Sequence, residues 1–263
     1  MPKVKRIIKS IATITILVYI GFGILLAVYQ RSFIYFPTEA VADASETKQL
    51  FKSGDETISA WVVNPGQENA TIFFGGNAVN AYLAIPQVKR TLQNFTSYLI
   101  DYRGYGSSSG TPSEKALMED AIAIHDAVKL KHKTITAVGR SLGTGVASFL
   151  AANRDLHKLV LITPYDSIEA VAKGRYPIYP ISTLLKDKFD TLSLVPSITE
   201  KTLILIAEND WVVPIKHAHK LASAFNPKQL TVKTITNTSH NSISQQPVYE
   251  ILIRDFINAG TNK

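Results

Sequence analysis

A serine stands between two glycines in the stretch GRSLG, where Gly139, Ser141 and Gly143 form a G-x-S-x-G pattern. An apolar, β-branched run over residues 135–138 precedes the pattern, and small, helix-compatible residues follow it. Between a strand and a helix, this pattern makes a sharp turn that exposes the serine oxygen, while the glycines let strand and helix approach. Serine is also a common helix N-cap, so the pattern alone is weak. Its context favours a nucleophile at Ser141.

A base and an acid that would activate this serine follow it along the chain. A serine nucleophile needs a general base, and the base needs a group that orients it. In a parallel sheet, functional residues lie beyond the carboxyl ends of strands. Asp210 follows the predicted strand TLILIA, and His240 follows the predicted strand LTVKTIT. We therefore expect Ser141 to attack a carbonyl carbon, His240 to take its proton, and Asp210 to hold the imidazole.

Other aspartate and histidine residues offer alternatives. Asp166, in TPYDS after an earlier predicted strand, is the alternative acid. His217 and His219 are two residues apart on a predicted helix, so they point to different faces and cannot form a metal pair. Structural or solvated roles are expected for the remaining candidates, which are Asp101, His125, His132 and His157. The expected chemistry needs neither a metal nor a cofactor.

Two backbone amides would stabilise a negatively charged oxygen at this serine. The first is the amide of Leu142, at the start of the helix that follows the serine. The second belongs to the loop after the third predicted strand, where the sequence FFGGNAVN offers Asn77. Gly75 and Gly76 permit a tight loop there, and an ordinary glycine turn is the alternative interpretation.

The elements that must position these residues alternate between strand-like and helix-like segments. The first two predicted strands form a hairpin around Gly54 and Asp55. The later strands are short apolar runs separated by helical patterns, which predicts a mostly parallel sheet of about eight strands with helices on both faces. The predicted strands are residues 47–52, 57–63, 70–74, 96–101, 134–138, 158–162, 202–207 and 230–236.

The clearest predicted helix follows Gly110. Thr111 is its expected N-cap, Pro112 is its expected first residue, and Glu114 completes a capping box with Thr111. The apolar face of this helix is expected to consist of Leu117, Ala121, Ile124 and Val128.

A long segment between two predicted strands, residues 164–200, contains Pro177, Pro180 and Pro196. It is longer than an ordinary connection between strands. We expect this segment to be an insertion, or cap, over one end of the sheet.

Composition narrows the function classes. The 263-residue chain is 46% hydrophobic and 19% charged, an ordinary globular composition. Cysteine is absent, which excludes disulfides, thiol catalysis and cysteine-based metal sites. The formal net charge is +7, but much of it lies at the extreme N-terminus, on Lys3, Lys5, Arg6 and Lys9. The rest of the chain shows no basic stripe, so we expect no nucleic-acid partner.

An uncharged apolar segment, residues 10–29, follows those cations. About twenty apolar residues span a bilayer as a helix, and basic residues concentrate on its cytoplasmic side. We therefore expect an uncleaved anchor, with residues 1–9 cytoplasmic and the catalytic part exported, to the periplasm or the extracellular face in a bacterium. Residues 30–46 would be a juxtamembrane linker and residues 47–263 one catalytic domain. A buried core helix and a cleaved signal peptide are the alternatives, but the small-residue triplet at 40–42 lies too far from the apolar segment.

Together these motifs resemble the α/β-hydrolase superfamily, and more narrowly its membrane-anchored branch with a short cap. That branch includes bacterial exported hydrolases and the α/β-hydrolase-domain lipases and protein depalmitoylases of eukaryotes. Two positions depart from the family pattern, since Gly75 replaces a histidine of the oxyanion loop and Ala207 replaces a glycine before the acid turn. The matching stretches span most of residues 29–241 and are QRSFIYFPT, GGNAVN, DYRGYGSSSGTPSE, GRSLGTGVA, RYP…LLKDKFD, END…VP and SHN.

The resemblance implies an α/β-hydrolase fold with Ser141, Asp210 and His240 as the triad, and with Asn77 and Leu142 as oxyanion donors. The family acts on carboxylesters, thioesters, lysophospholipids and peptides, so the resemblance does not select a substrate. We expect a serine hydrolase of amphiphilic acyl esters or thioesters, because an anchored domain meets its substrates at the bilayer surface. An aminopeptidase-like serine hydrolase and a catalytically weak, anchored binding or scaffold protein are the alternatives.

Overall fold

The computed structural model describes residues 2–42 and 46–259. Its strands are β1 (Thr47–Ser53), β2 (Glu56–Val63), β3 (Asn69–Phe74), β4 (Phe95–Ile100), β5 (Ile135–Arg140), β6 (Lys158–Ile162), β7 (Lys201–Ala207) and β8 (Leu230–Ile235). Its α-helices are α1 (Pro2–Ile34), α2 (Ile85–Thr91), α3 (Glu114–Lys129), α4 (Leu142–Asn153), α5 (Ile168–Arg175), α6 (Ile181–Leu184), α7 (Thr191–Leu194), α8 (Ile215–Ala224) and α9 (Pro247–Asn258). The ends of the expected domain ranges, at residues 1 and 260–263, and residues 43–45 of the expected linker lie outside the described residues.

The strands form one eight-stranded sheet in the order β1-β2-β4-β3-β5-β6-β7-β8. β1 and β2 are an antiparallel hairpin, β2 is also antiparallel to β4, and the other neighbouring strands are parallel. The expected mostly parallel sheet with helices on both faces is confirmed. Because β5 to β8 are parallel, their carboxyl ends share one edge of the sheet, and Ser141, Asp210 and His240 follow strands at that edge.

Apolar side chains fill both sides of the sheet. Along β7, Ile204 and Ile206 pack in the cluster that includes α3, α4 and α8, whereas Leu203 and Leu205 pack in the cluster that includes α2 and α9. This alternation is the period-two pattern of a strand that is buried on both faces. Burial on both faces fixes the register of the central strands, and with it the positions of the residues that follow them.

The helix α3 begins later than the sequence predicts. Ser113, not Thr111, is the N-cap, and its hydroxyl accepts a hydrogen bond from the Ala116 amide at 3.2 Å. Pro112 therefore precedes the helix rather than opening it, and the expected capping box is wrong. Both hydroxyl residues are good N-caps, so the local sequence does not choose between them.

The carboxylate of Glu114 does not form a capping box with its own helix but binds the inserted segment over the sheet. It accepts hydrogen bonds from the amides of Lys188 (2.6 Å) and Phe189 (2.9 Å), which lie in the cap of residues 164–200. Phe189 itself is fully buried in the core. The apolar face of α3 is buried as expected, through Leu117, Ala121, Ile124 and Val128.

The helix α1 is longer than the expected span and enters the body of the protein. The expected span of residues 10–29 lies within it, and the helix is long and apolar enough to cross a membrane. Residues 30–34, which the sequence assigns to a linker, are its last turn. The helix continues because it finds partners on the cap, among them an ion pair of Arg31 Nε with Asp187 Oδ2 at 2.9 Å.

Candidate active site

Ser141 occupies the turn between β5 and α4. Its backbone has φ 50° and ψ −117°, a conformation that residues with a side chain rarely adopt. The Ser141 amide donates to Ile162 O (2.9 Å), and the Thr144 amide donates to Ser141 O (2.9 Å). The Ser141 hydroxyl caps no amide of α4. The N-cap interpretation therefore does not describe this side chain, which has a different partner.

Close backbone packing requires the two glycines that flank the serine. A Cβ at Gly143 would lie 2.7 Å from Gly75 O and would also collide with Phe74 O. A Cβ at Gly139 would lie 2.7 Å from the Gly143 carbonyl carbon. The strand, the turn and the helix can meet at this spacing only because these side chains are absent.

The structure brings Ser141, His240 and Asp210 together at the carboxyl edge of the sheet. Ser141 Oγ lies 2.8 Å from His240 Nε2, and His240 Nδ1 lies 2.7 Å from Asp210 Oδ2. The other Asp210 oxygen accepts hydrogen bonds from the amides of Val212 (3.0 Å) and Val213 (2.8 Å). When Nδ1–H donates to the carboxylate, Nε2 is left as the acceptor for the serine proton. Asp210 and His240 are only 8% and 7% exposed, which limits competition from water.

The alternative acid, Asp166, belongs to a different pair. Its Oδ1 lies 2.8 Å from His217 Nδ1, and its Oδ2 lies 2.9 Å from Lys220 Nζ. Burial raises the pKa of Asp166, but hydrogen bonds from Lys220 and His217 outweigh burial and hold the pKa below its ordinary value. His217 is buried and His219 is exposed, so the two histidines lie on different faces of α8. Both oxygens of Asp166 are thus occupied by partners other than His240.

Other candidate residues lie in structural positions. Asp101 follows β4, and burial raises its pKa to about 6. His132 lies 2.9 Å from the Tyr98 hydroxyl and 2.9 Å from Gln67 O. His125 is buried on α3. No group of three or more His, Asp or Glu side chains that could hold a metal ion occurs among the residues that the structure describes.

Two backbone amides beside Ser141 have no acceptor of their own. The Leu142 amide is in the first turn of α4, and the Asn77 amide is in the loop after β3. Neither donates a hydrogen bond to another group in the described part of the chain. Both residues line the same cavity as Ser141, and a Cβ at Gly76 would lie 3.6 Å from the Ser141 Cβ. These amides are available to an oxygen anion that forms at the serine.

The loop after β3, the candidate oxyanion loop, is held by contacts that the sequence does not indicate. Gly75 O accepts a hydrogen bond from the Tyr102 hydroxyl (2.7 Å), and Asn77 O accepts one from the Tyr105 hydroxyl (2.8 Å). The Asn77 side chain donates to Ile34 O at the end of α1 (3.0 Å). The loop thus has supports of its own although Gly75 replaces the histidine of the family pattern.

A cavity of about 360 Å³ opens beside Ser141. The cap supplies one wall through apolar residues such as Ile168, and α1 supplies another through Leu26 and Phe33. A larger surface depression of about 990 Å³ lies between the β1–β2 turn and α3, but it has many charged residues in its lining and Ser141 is not one of them. The smaller cavity is therefore the candidate substrate site, and the contribution of α1 to it was not expected from the sequence.

Arg140, the second residue of the G-x-S-x-G pattern, connects the serine turn to the histidine loop. Its guanidinium Nη2 donates to His240 O (3.3 Å) and to Asn241 O (3.4 Å). A basic side chain next to the serine is the only signal of this contact in the sequence, and it does not identify the partner.

Comparison with known proteins finds relatives over most of the chain. The Mycobacterium tuberculosis protein named Uncharacterized protein Rv2307c is 28% identical over 254 residues, which are 89% of each chain. The Caenorhabditis elegans alpha/beta hydrolase domain-containing protein aho-3 is 28% identical over 205 residues, which are 73% of this chain and 58% of that protein. The Saccharomyces cerevisiae protein named Uncharacterized membrane protein YNL320W is 28% identical over 214 residues, which are 76% of this chain and 75% of that protein. No protein-family model matches the sequence.

Solved structures share the arrangement of sheet and helices. The Pyrococcus furiosus esterase Pf2001 matches with a TM-score of 0.70 at 18% identity, covering 85% of this chain and 98% of that chain. The alpha/beta hydrolase GrgF from Penicillium sp. sh18 matches with a TM-score of 0.63 at 16% identity, covering 81% of this chain and 97% of that chain. At such identities the likeness is one of fold, so the activity has to be argued from the site.

Proposed function

Given that this chain is a member of the α/β-hydrolase superfamily, we propose that it is a serine hydrolase that cleaves acyl esters or thioesters of an amphiphilic substrate. The names of the relatives and the esterase fold support hydrolase activity. The narrower proposal rests on one observation, the continuous hydrogen-bonded chain from Ser141 through His240 to Asp210.

In the proposed reaction, Ser141 Oγ attacks the substrate carbonyl carbon while His240 Nε2 takes the serine proton. The carbonyl–oxygen or carbonyl–sulfur bond to the leaving group then breaks, and His240 gives the proton to the departing alcohol or thiol. Water attacks the acyl-serine with His240 again as general base, which releases the carboxylic acid and restores Ser141. Asp210 orients the imidazole and stabilises its protonated form.

The amides of Leu142 and Asn77 are proposed to stabilise the negative oxygen of the tetrahedral intermediate. Their lack of a protein acceptor in the described ranges supports this role, because they need not break a hydrogen bond to receive the oxyanion. A donor of this kind contributes about 10²–10³-fold to kcat. The oxyanion loop is braced by the Tyr102 and Tyr105 hydroxyls, so the donors are held in place before substrate binds.

Charge pairing in the cap supports an acyl substrate over a peptide with a free amine. An aminopeptidase-like site would need an unpaired carboxylate to bind the substrate amine. The cap acids that could serve already have partners: Asp166 pairs with Lys220, Glu169 with Lys188, Asp187 with Arg31, and Asp190 caps α7. The apolar side chains that dominate the cavity wall suit an acyl chain.

The Ser141→Ala variant of the full-length protein tests the proposal. We expect this variant to lose labelling by a fluorophosphonate probe and to lose p-nitrophenyl butyrate hydrolysis by several orders of magnitude. Ser107→Ala is a matched control, because that hydroxyl contacts Lys48 at the surface. Peptide p-nitroanilides assayed beside acyl esters test the acyl preference. Full turnover by Ser141→Ala would reject the serine mechanism.

The N-terminal helix suggests where the protein is located. The helix α1 is a candidate membrane anchor, and a yeast relative is named a membrane protein. The basic residues before the span favour a cytoplasmic N-terminus, so the catalytic part would lie on the periplasmic or extracellular face in a bacterium. C-terminal fusions to alkaline phosphatase and to green fluorescent protein in a bacterial host test this orientation. We expect the phosphatase fusion to be active and the green fluorescent protein fusion to be non-fluorescent, with both retained in carbonate-washed membranes. A fluorescent fusion would reverse the proposed orientation, and release of the phosphatase fusion would indicate a cleaved signal.

A further inference from the structure

We infer that the second half of α1 is a wall of the substrate site, and that a long acyl chain reaches Ser141 laterally from the membrane, between α1 and the cap. This inference rests on the proposed hydrolase function and names its substrate class, an acyl ester or thioester whose chain lies in the bilayer. The residues assigned to contact the chain are Leu26, Ala27 and Phe33 of α1 and Leu184 of the cap.

One stripe of α1 docks on the cap. The Tyr19 ring stacks on the Tyr179 ring with the centroids 4.7 Å apart, and the Tyr19 hydroxyl donates to Ile178 O at 2.9 Å. Further along the helix, Gln30 Nε2 donates to Leu184 O at 3.0 Å. Residues three and four apart lie on one helix face. The buried or half-buried positions follow this spacing and are Gly23, Leu26, Ala27, Gln30 and Ile34.

The opposite stripe of the same half is apolar and exposed. Leu25, Val28 and Tyr29 are 42%, 66% and 58% exposed. They lie in the uncharged stretch of residues 10–29 that is proposed to span the bilayer. A helix that is apolar on all faces and packs against protein on one side only suits lipid on the other. The cap therefore contacts the anchor within its span, from Tyr19 onward.

Two cavities border this contact and share Leu184 in their linings. The cavity beside Ser141, of about 360 Å³, is lined by Leu26, Phe33 and Leu184. A groove of about 220 Å³ lies between α1 and the cap and is lined by Ile20, Ala27 and again Leu184. At 1.5 Å per residue, the stretch of α1 that borders the two spaces extends about 20 Å. One leaflet of a bilayer has a hydrocarbon depth of about 15 Å, so the path is long enough for the chain of a leaflet lipid.

The chemistry of this path selects an apolar chain. The side chains that α1 contributes to the groove are uncharged, so a hydrocarbon chain replaces lipid contacts with protein contacts there. Ser141 shares its cavity with Ile34, in the last turn of α1, where the helix leaves the proposed span. An ester carbonyl near the membrane surface would thus meet the nucleophile while its acyl chain extends back along α1. Binding should strengthen with chain length until the groove is filled.

Two neighbouring residues of α1 offer a matched test. Ala27 lines the groove, whereas Val28 faces outward. With the full-length protein in nanodiscs, we expect Ala27→Trp to lower kcat/KM for p-nitrophenyl palmitate about tenfold or more. The same variant should change kcat/KM for p-nitrophenyl butyrate less than about twofold, because a short chain does not need the groove. Val28→Trp should leave both kcat/KM values unchanged. If Ala27→Trp lowered kcat/KM equally for both esters, or for neither, the inference would be overturned.

The same assay distinguishes a folding defect from a failure of the proposed function. Fluorophosphonate labelling of Ser141 reports an assembled site in each variant. If Ala27→Trp loses labelling, the smaller substitution Ala27→Leu is tested in its place, and Val28→Leu is its control. A loss of activity confined to long esters is again expected. If Ser141→Ala keeps full turnover, the proposed function itself fails, whatever the Ala27 variants do.

Lateral entry has a separate readout. The fluorogenic ester 4-methylumbelliferyl palmitate is placed either in the nanodiscs that contain the enzyme or in separate nanodiscs. We expect hydrolysis in the shared nanodiscs to be about tenfold faster or more, because the acyl chain then reaches the groove without crossing water. Equal initial rates would mean that substrate arrives from water and would overturn lateral entry.

Discussion

Two buried aspartate–histidine pairs lie within residues 2–42 and 46–259, and they differ in which group the histidine contacts on its other side. The Asp210–His240 pair and the Asp166–His217 pair have nearly the same distance from carboxylate oxygen to Nδ1, 2.7 Å and 2.8 Å. His240 continues to Ser141 Oγ at 2.8 Å. His217 leads to no nucleophile in the part of the chain that the structure describes.

The two aspartates also differ in their second oxygen. That of Asp210 accepts hydrogen bonds from the amides of Val212 and Val213, whereas that of Asp166 pairs with the Lys220 ammonium. Backbone amides orient a carboxylate and leave its charge in place, so Asp210 can stabilise a protonated imidazole. A lysine neutralises the charge of Asp166. The neighbours of such a pair, rather than its own geometry, thus suit it to catalysis or to structure.

The largest expected effect separates the two pairs by activity. Asp210→Asn should lower kcat for p-nitrophenyl butyrate about 10⁴-fold, because asparagine favours the wrong tautomer of His240. Asp166→Asn should change kcat less than about twofold, because its partners do not contact the serine. Rates of fluorophosphonate labelling should rank the variants in the same order. The reverse ranking would move the orienting acid to Asp166.

A smaller effect is expected at the contact that holds His240, the proposed general base. His240 lies on a loop that Arg140 holds, whereas His217 is fixed within α8. Arg140→Ala should lower kcat about tenfold with little change in KM, because the imidazole loses its fixed position against Ser141. The pH profile of kcat should keep its shape, since the titrating groups remain.

Two comparisons check that Arg140 acts by positioning. Arg140→Lys should recover part of the lost kcat, because the ammonium can still donate to a carbonyl of the loop. Arg154→Ala, which removes a surface pair with Asp126, should leave kcat unchanged. An equal loss in both alanine variants would point to general destabilisation instead.

The residues of the proposed catalytic pair, Asp210 and His240, are predictable from local sequence, but the choice of this pair over the other is not. Ser141, Asp210 and His240 each follow a strand-like run, and a parallel sheet brings strand ends to one edge. Asp166 also follows a strand, so strand position cannot select between the two acids. The selection is made by tertiary packing, because α8 brings His217 to Asp166.

Contacts between distant segments are where sequence reasoning fails in this chain. Hydropathy identifies α1 as a candidate membrane span, but it does not indicate that Arg31 pairs with Asp187, 156 positions away. The start of α3 fails for a related reason. Thr111 and Ser113 are both good N-caps, and Glu114 is used by the cap rather than by its own helix. Asp187, the partner of Arg31, and Lys188, a partner of Glu114, are too distant along the chain for a local sequence pattern to include them.

The smallest expected effect concerns the stability that the structural pair contributes. Asp166→Asn should lower the free energy of unfolding by about 1–2 kcal/mol near neutral pH, because the buried pair with His217 loses its charged acceptor. The Tm should fall by about 2–4 °C for each kcal/mol in a chain of this size. Thermal unfolding of detergent-solubilised protein measures the difference. An unchanged Tm would mean that the pair contributes nothing net to the fold.

The pH dependence of that Tm difference tests whether the charge of Asp166 stabilises the fold. Burial raises the pKa of Asp166, and hydrogen bonds from Lys220 and His217 more than offset it, so the folded pKa is lowered. A carboxyl with a lowered folded pKa contributes stability above its unfolded pKa, about 3.9, and loses that contribution as pH falls through the folded value. The Tm difference between the wild type and Asp166→Asn should therefore be full near neutral pH and shrink below about pH 4. A difference that persists undiminished at about pH 3 would mean that ionisation of Asp166 is not what stabilises the pair.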